Sequence, residues 1–493
     1  MAATLCILVP ILAGLALYAL PKKSDRLAQI FGIVLSGLIV LYVALSANDA
    51  DVSVRWLSRP FVATFHVGFG GISFWIALLL ALTTFTSLVA LTAPSARDFV
   101  AQLLILEGAM MGVFLAKDLL LFALFWDLML VPVFLLMVGW GVPSRRSDAM
   151  NLGARGTHQT AAWRYLIYNM VGGLALLLAT AAFGVAYGTT NVIGAVGVTP
   201  LGEVWAPWIL TGFALAFLIK TPVWPLHTWM PETYAELPSE VVAVVSAVQS
   251  KAGLYGFIVI GVPLFAHEMH RFAPVMFVLG LVALVYGALV ALTQTDAKKI
   301  VAYSSLSHLG LILIGIFSFN DLALRGSVVY LIAHGLFSAA LFLTLGYIER
   351  REETRDISRL GGLAADNPRL AGGLMLAALA ALGLPGLAGF AGELLIMTGL
   401  YAAGYWWAAL IALVPIVLAA AYMLRLFQMT MNGPHNADLP KRRDLSWGEG
   451  LALAPLVIGF VLLGVNPGPV AAVATNVVHA AVALVPAAKD AAR

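Results

Sequence analysis

Long apolar runs follow one another along almost the whole chain, and this pattern constrains the fold more than any single motif. Windows of about 17–25 residues fall near 2–20, 27–46, 70–92, 99–116, 118–140, 162–186, 205–230, 239–262, 274–293, 299–317, 322–347, 372–403, 405–427 and 449–467. Each suits an α-helix crossing a hydrocarbon layer roughly 30 Å thick. Backbone N–H and C=O groups find no water there, so each window must satisfy them internally, as a helix does. The expectation is an all-α membrane protein of about fourteen transmembrane helices. Composition agrees: 61% of the 493 residues are hydrophobic and 11% are charged, too apolar for a soluble core. The first run has no basic n-region and no small-residue cleavage site, so it reads as a membrane helix and not a signal peptide. The stretch 468–485 reads as a surface or C-terminal helix.

The single Cys6 excludes an intrachain disulfide and a cysteine metal site. A net charge of +3 without a basic patch gives no sign of nucleic-acid binding, and the lipid bilayer is the surrounding partner. Lys and Arg are unevenly shared: roughly nineteen lie in odd-numbered connections and about five in even-numbered ones. The positive-inside rule then puts both termini on the periplasmic side of a bacterial inner membrane, with a multi-pass chain between.

Ionisable residues inside the runs are the functional candidates, because a charge at bilayer depth costs roughly 2.5–3.5 kcal/mol on insertion scales. Lys220 ends the run WILTGFALAFLIK and is followed at once by Pro222 and Pro225, which break the helix beside the charge. The twelfth run has Pro385 and a glycine-rich break before Glu393. Helices 7 and 12 are therefore expected to be discontinuous, at matching places five helices apart, a pattern that points to inverted repeats and a mid-membrane site. Asp127 lies in the fifth run, and Lys220 is its natural partner: as a proton switch, or as a structural ion pair joining two helices. Lys251 fits a relay, or a lysine reaching toward the interface. His308 and His334 occupy consecutive apolar runs and can pass a proton through either ring nitrogen, or simply pack. Glu393 suits the last station before release, or a cap on the second half-helix. Glu107 is a further buried acid that would tune Asp127. The mixed-charge run 350–369 reads as a solvated connection or subunit contact.

Five ordered motifs, FLIKTPVWPLHTWMPETYAELPS, SKAGLYG, TDAKKIVAYSSLSHLGL, LIAHGLFSAALFLTLGYIERR and LPGLAGFAGELLI, together resemble the antiporter-like subunits. These occur in respiratory complex I, membrane-bound hydrogenases and multisubunit cation/proton antiporters. The likeness spans roughly 70–430, and the glutamate at 393 resembles the M (chain 4) type, where L and N types usually carry lysine. The resemblance implies helices 1–3 in 1–98, a first five-helix repeat in 99–262, its inverted counterpart in 274–427, and a loop, helix 14 and C-terminal segment in 428–493. It implies an input pair of Asp127 and Lys220, a central relay at Lys251, an axis through His308 and His334, and exit at Glu393. Where the family usually has glutamate this chain has Asp127, one methylene shorter. The implied activity is proton translocation in a redox-driven NADH:quinone oxidoreductase, with no cofactor in this chain. Iron–sulfur clusters, flavin and quinone would lie in partner subunits: L- and N-type and small membrane subunits, and a peripheral redox arm. The alternatives are a subunit of a Na⁺/H⁺ antiporter or of a hydrogenase-type complex, or an inactive spacer.

Overall fold

The computed structural model describes residues 1–21, 24–92, 96–142, 157–193, 204–434 and 443–474. Its helices are α1 Ala2–Leu17, α2 Asp25–Leu45, α3 Ile72–Ala90, α4 Ala96–Leu115, α5 Leu119–Leu128, α6 Leu130–Trp140 and α7 Thr157–Tyr187. Next come α8 Ala206–Lys220, α9 Met230–Glu236, α10 Ser239–Ala247, α11 Ala252–Gly256, α12 Val262–Leu264, α13 Ala266–Thr293 and α14 Ala297–Phe317. The chain continues through α15 Asp321–Glu352, α16 Leu363–Asp366, α17 Pro368–Ala381, α18 Ala388–Ala402, α19 Trp406–Met431, α20 Trp447–Val465 and α21 Gly468–Ala472. Among the described residues, 11 spans are long and apolar enough to cross a membrane, and α1, α8, α17 and α18 are shorter apolar helices. Of the 468–485 segment, α21 is the helical part; residues from 475 onward lie outside the described ones.

Burial sorts the helices into an inner and an outer set. The apolar window of α15 is 100% buried, whereas those of α2 and α20 are only 28% buried. Leu178, Val417 and Leu410 stand exposed on outer helices, as lipid-facing residues do. The polar residues of interest therefore sit on the inner helices, away from lipid.

The breaks follow from local chemistry. Lys220 is the last residue of α8, and the chain resumes helically only at Met230, with Pro222 and Pro225 between. The α17–α18 break runs through Gly383 and Gly386, both at positive φ (76° and 92°), which glycine adopts without steric cost. Two further interruptions went unread in the sequence. One separates α5 from α6 at Met129, where Pro132 has no N–H for the Leu128 carbonyl. The other follows α10: a 3₁₀ turn at Gln249–Lys251, then α11, then a π-helical stretch at Phe257–Gly261. Such π-bulges are frequent at functional sites.

A β-hairpin also departs from the all-helical expectation. β1 (Val52–Leu57) pairs antiparallel with β2 (Ala63–Val67), Val52 opposite Val67. The hairpin closes over the start of α5 around the buried Asp118 carboxylate, which accepts hydrogen bonds from Thr64 N (2.9 Å), Thr190 Oγ1 (2.9 Å) and Leu120 N (2.9 Å). The opposite end of the bundle carries the 350–369 run. Part of that run is not solvated, since Arg355 is buried.

Candidate functional site

Lys220 ends a helix in the bundle interior, 1% exposed, and its Nζ has no hydrogen-bond partner in the protein. The ammonium lies 5.2 Å from the centre of the Trp126 ring, a cation–π arrangement one residue from Asp127. The expected Asp127–Lys220 pair is not a contact pair: no N–O distance reaches 4.0 Å, although each group lies within range of the other's charge. Asp127, half-buried, turns instead toward Gly173 of α7, where a Cβ would fall 1.8 Å from its Oδ1. Opposite, the Trp229 indole donates to the Ile219 carbonyl (3.0 Å), beside the point where the helix stops.

Lys251 follows on the next broken element. Ser246, in the last turn of α10, has a carbonyl that the helix itself leaves unpaired. That oxygen accepts from Ser250 Oγ (3.0 Å) and from the fully buried Lys251 ammonium. Gly253 lets this turn meet the end of α8: a Cβ there would lie 2.3 Å from Thr221 Oγ1 and 2.1 Å from the Phe217 carbonyl. The two lysine-bearing breaks are thus packed against each other. Gln249 Nε2 donates to Tyr165 OH (2.9 Å), so polar groups from α7 also face this turn.

From Lys251 the polar path enters the second half. Both His308 and His334 lie within range of its charge, and their rings are 5.5 Å apart. His334 is fully buried with neither ring nitrogen bonded to protein. His308 belongs to a hydrogen-bonded series. Tyr422 OH donates to Ser304 Oγ (3.1 Å), and Ser304 Oγ meets His308 Nε2 (3.1 Å). His308 Nδ1 meets Tyr330 OH (2.5 Å), and Tyr330 OH donates to Glu393 Oε1 (2.6 Å). Because the Tyr330 proton is committed to Glu393, a neutral His308 must donate from Nδ1 and accept from Ser304 at Nε2. All four hydrogen bonds then point one way, toward the carboxylate.

Glu393 sits in the first turns of α18, 6% exposed, facing the break before it. A Cβ on Gly383 would lie 2.2 Å from its Oε2, so the break is both a left-handed turn and a wall of the carboxylate pocket. Of the residues expected from sequence, Lys220, Lys251, His308, His334 and Glu393 therefore lie in one buried polar system. Asp127 borders it. Glu107 faces α1 near Cys6, and neither of its carboxylate oxygens has a protein partner. Ser304, Tyr330 and Tyr422 were missed. Each is a hydroxyl in an apolar run, and only the YSSLSH spacing, with Ser304 four residues before His308, carried a signal.

A helical membrane bundle with buried cations and carboxylates at broken helices defines an ion-translocating class of protein. The profile of the family described as "NADH:quinone oxidoreductase/Mrp antiporter, TM" matches residues 116–419, more than half of the chain, and the chain belongs to that family. Within it, the chain is similar to NADH-quinone oxidoreductase subunit M of Pseudomonas aeruginosa, 34% identical over 96% of each sequence. A chain of respiratory complex I from Thermus thermophilus superposes with a TM-score of 0.85 at 30% identity, covering 98% of this chain and all of that one. A chain of the Mrp complex from Dietzia shares the fold, with a TM-score of 0.82 at 22% identity over 97% of this chain and 96% of that one.

Proposed function

We propose that this chain is the M-type antiporter-like subunit of a NADH:quinone oxidoreductase membrane arm and carries protons across the membrane. The observation that carries the reading is the one-way series Tyr422–Ser304–His308–Tyr330–Glu393, which passes within range of the Lys251 charge at His308 and ends at a broken helix. A proton entering such a series can shift along it by successive hydrogen-bond exchange, leaving Glu393 neutral and ready to release outward. Full-length identity of 30–34% to subunit M relatives supports the redox-driven role over a stand-alone antiporter.

The finer architecture follows the same reading. The fourteen expected windows correspond to the 11 long spans, α1, and two broken pairs: α8 with α9, and α17 with α18. Two inverted five-helix repeats, 99–262 and 274–427, bring Lys220 and Glu393 to equivalent places. The basic end faces the cytoplasm, both termini lie on the periplasmic side, and no redox group resides in this chain. L- and N-type and small membrane subunits lie alongside, and iron–sulfur clusters, flavin and quinone belong to the partners.

Asp127 and Lys220 form the input pair, Lys251 the relay, His308 and His334 the axis, and Glu393 the exit. Electrostatics couples the stations. Two unit charges at the 5.5 Å separation of the histidine rings repel by about 3 kcal/mol at an effective dielectric near 20, so one proton at a time is favoured. The test is Lys220→Ala in the purified complex, reconstituted in liposomes. Loss of most NADH-driven proton uptake, with slowed quinone reduction, is expected; wild-type rates of both refute the relay.

A further inference from the structure

At the basic end, five charged groups from separate elements are held together out of solvent. Lys298 near the start of α14 pairs with Glu349 on α15 at 2.7 Å, with side chains 1% and 13% exposed. The same ammonium donates to the Leu237 carbonyl (3.1 Å), at the joint between α9 and α10. Arg355 completes the cluster: its guanidinium reaches Asp296 (3.3 Å), Glu349 (3.6 Å) and Glu236 (3.6 Å), and it donates to the Ala235 carbonyl. Burial works against the Arg355 charge, but Asp296, Glu349 and Glu236 outweigh it and hold its pKa above the usual value.

Beneath this cluster lie hydroxyls that the protein does not satisfy. Ser239 Oγ, two residues from Leu237, has no protein partner and packs against Gly346. Tyr234 OH also lacks a formed hydrogen bond and lies beside Ser250, the neighbour of Lys251. Buried polar groups without protein partners are ordinarily hydrogen-bonded to water. Ser239 and Tyr234 thus mark a polar route from the cluster toward Lys251, and the cluster sits across its outer end.

We propose that the Lys298–Glu349–Arg355 cluster is a lid that shuts the basic end of the polar interior against proton entry and opens only during turnover. The pair suits that role because breaking it exposes buried charge, so the closed state dominates at rest. Lys298 and Arg355 grip the carbonyls of Leu237 and Ala235, which couples opening to movement of the α9–α10 joint. These residues are positioning residues: they control access and do not carry the proton. The inference rests on the proton-carrying reading, but its test needs no turnover.

The experiment measures passive proton entry into liposomes holding the whole purified complex, with an imposed pH gradient, an internal pH dye and no NADH. Lys298→Met is expected to raise proton conductance per assembled complex roughly tenfold or more, because opening no longer breaks a buried ion pair. Lys298→Arg keeps the charge and is expected to stay tight. Adding Lys251→Ala to Lys298→Met is expected to abolish the leak. Unchanged conductance in assembled Lys298→Met overturns the lid, as does a leak of equal size in Lys298→Arg. Should Lys298→Met fail to assemble, Glu349→Gln reads the same pair, and wild-type tightness in that variant overturns the proposal. A failed pumping test at Lys220 leaves these conductances free to come out either way, so the two readings fall separately.

Discussion

Tyr330→Phe is the sharpest single perturbation of the polar series. Phenylalanine keeps the ring and its edge-on packing against His308 (5.6 Å between centres), so assembly is expected to persist. What disappears is one hydroxyl that touches Glu393 Oε1 at 2.6 Å and His308 Nδ1 at 2.5 Å in a fully buried place. A hydrogen bond to a charged partner contributes about 1.5–3 kcal/mol, and its loss leaves two buried polar atoms unsatisfied. If that energy enters the barrier for delivering a proton to Glu393, the step slows about 10- to 150-fold. The assay is the purified complex in liposomes, with NADH oxidation and internal pH followed together, before and after a protonophore. Expected are a fully assembled complex, slow quinone reduction and fewer protons moved per NADH. Turnover within about twofold of wild type, with the same proton yield, refutes a role for the hydroxyl on any step that limits turnover.

Gly383→Ala probes the same carboxylate from the other side. It forces a side chain onto φ +76° and into Glu393 Oε2, so pumping is expected to fall about tenfold or more in an assembled complex; normal pumping would show that the carboxylate need not stay where it is. At the input end, Asp127→Glu is expected to retain proton pumping because it keeps an acid within range of the Lys220 charge. Asp127→Asn is expected to lose most of it, and equal rates for the two would remove the need for an acid at 127.

The helical bundle was legible because membrane solvation leaves little choice: apolar windows of this length have to be helices, and 11 spans long and apolar enough to cross a membrane lie among the described residues. Lys220 and Glu393 were legible because a charge beside proline or glycine in such a run has few structural excuses. The break at Lys251 was not, since Gly253, Gly256 and Gly261 are spaced as ordinary helix-packing glycines are; Gly253 and Gly256 meet Phe217 of α8, and Gly261 meets Met269 of α13. The Asp127–Lys220 contact was expected from residue types alone, whereas the space beside Gly173, on a helix distant in sequence, receives the carboxylate. Chain position alone does not reveal that the face of α4 carrying Glu107 meets α1 near Cys6. The charged run at 350–369 read as solvated, yet Arg355 is enclosed by acids from three separate elements, a long-range arrangement no local pattern announces.

The length of α15 has a mechanical consequence. This helix runs 32 residues without proline and carries Tyr330 and His334 in its middle and Glu349 near its end. At 1.5 Å per residue, Tyr330 and Glu349 are about 28 Å apart along one rod. A tilt of only about 2° pivoting near Tyr330 would swing Glu349 by about 1 Å, which takes a 2.7 Å ion pair beyond hydrogen-bonding range while the pivot hardly moves. One shaft thus serves two fittings, and the outer one can be unlatched by a rotation too small to disturb the inner.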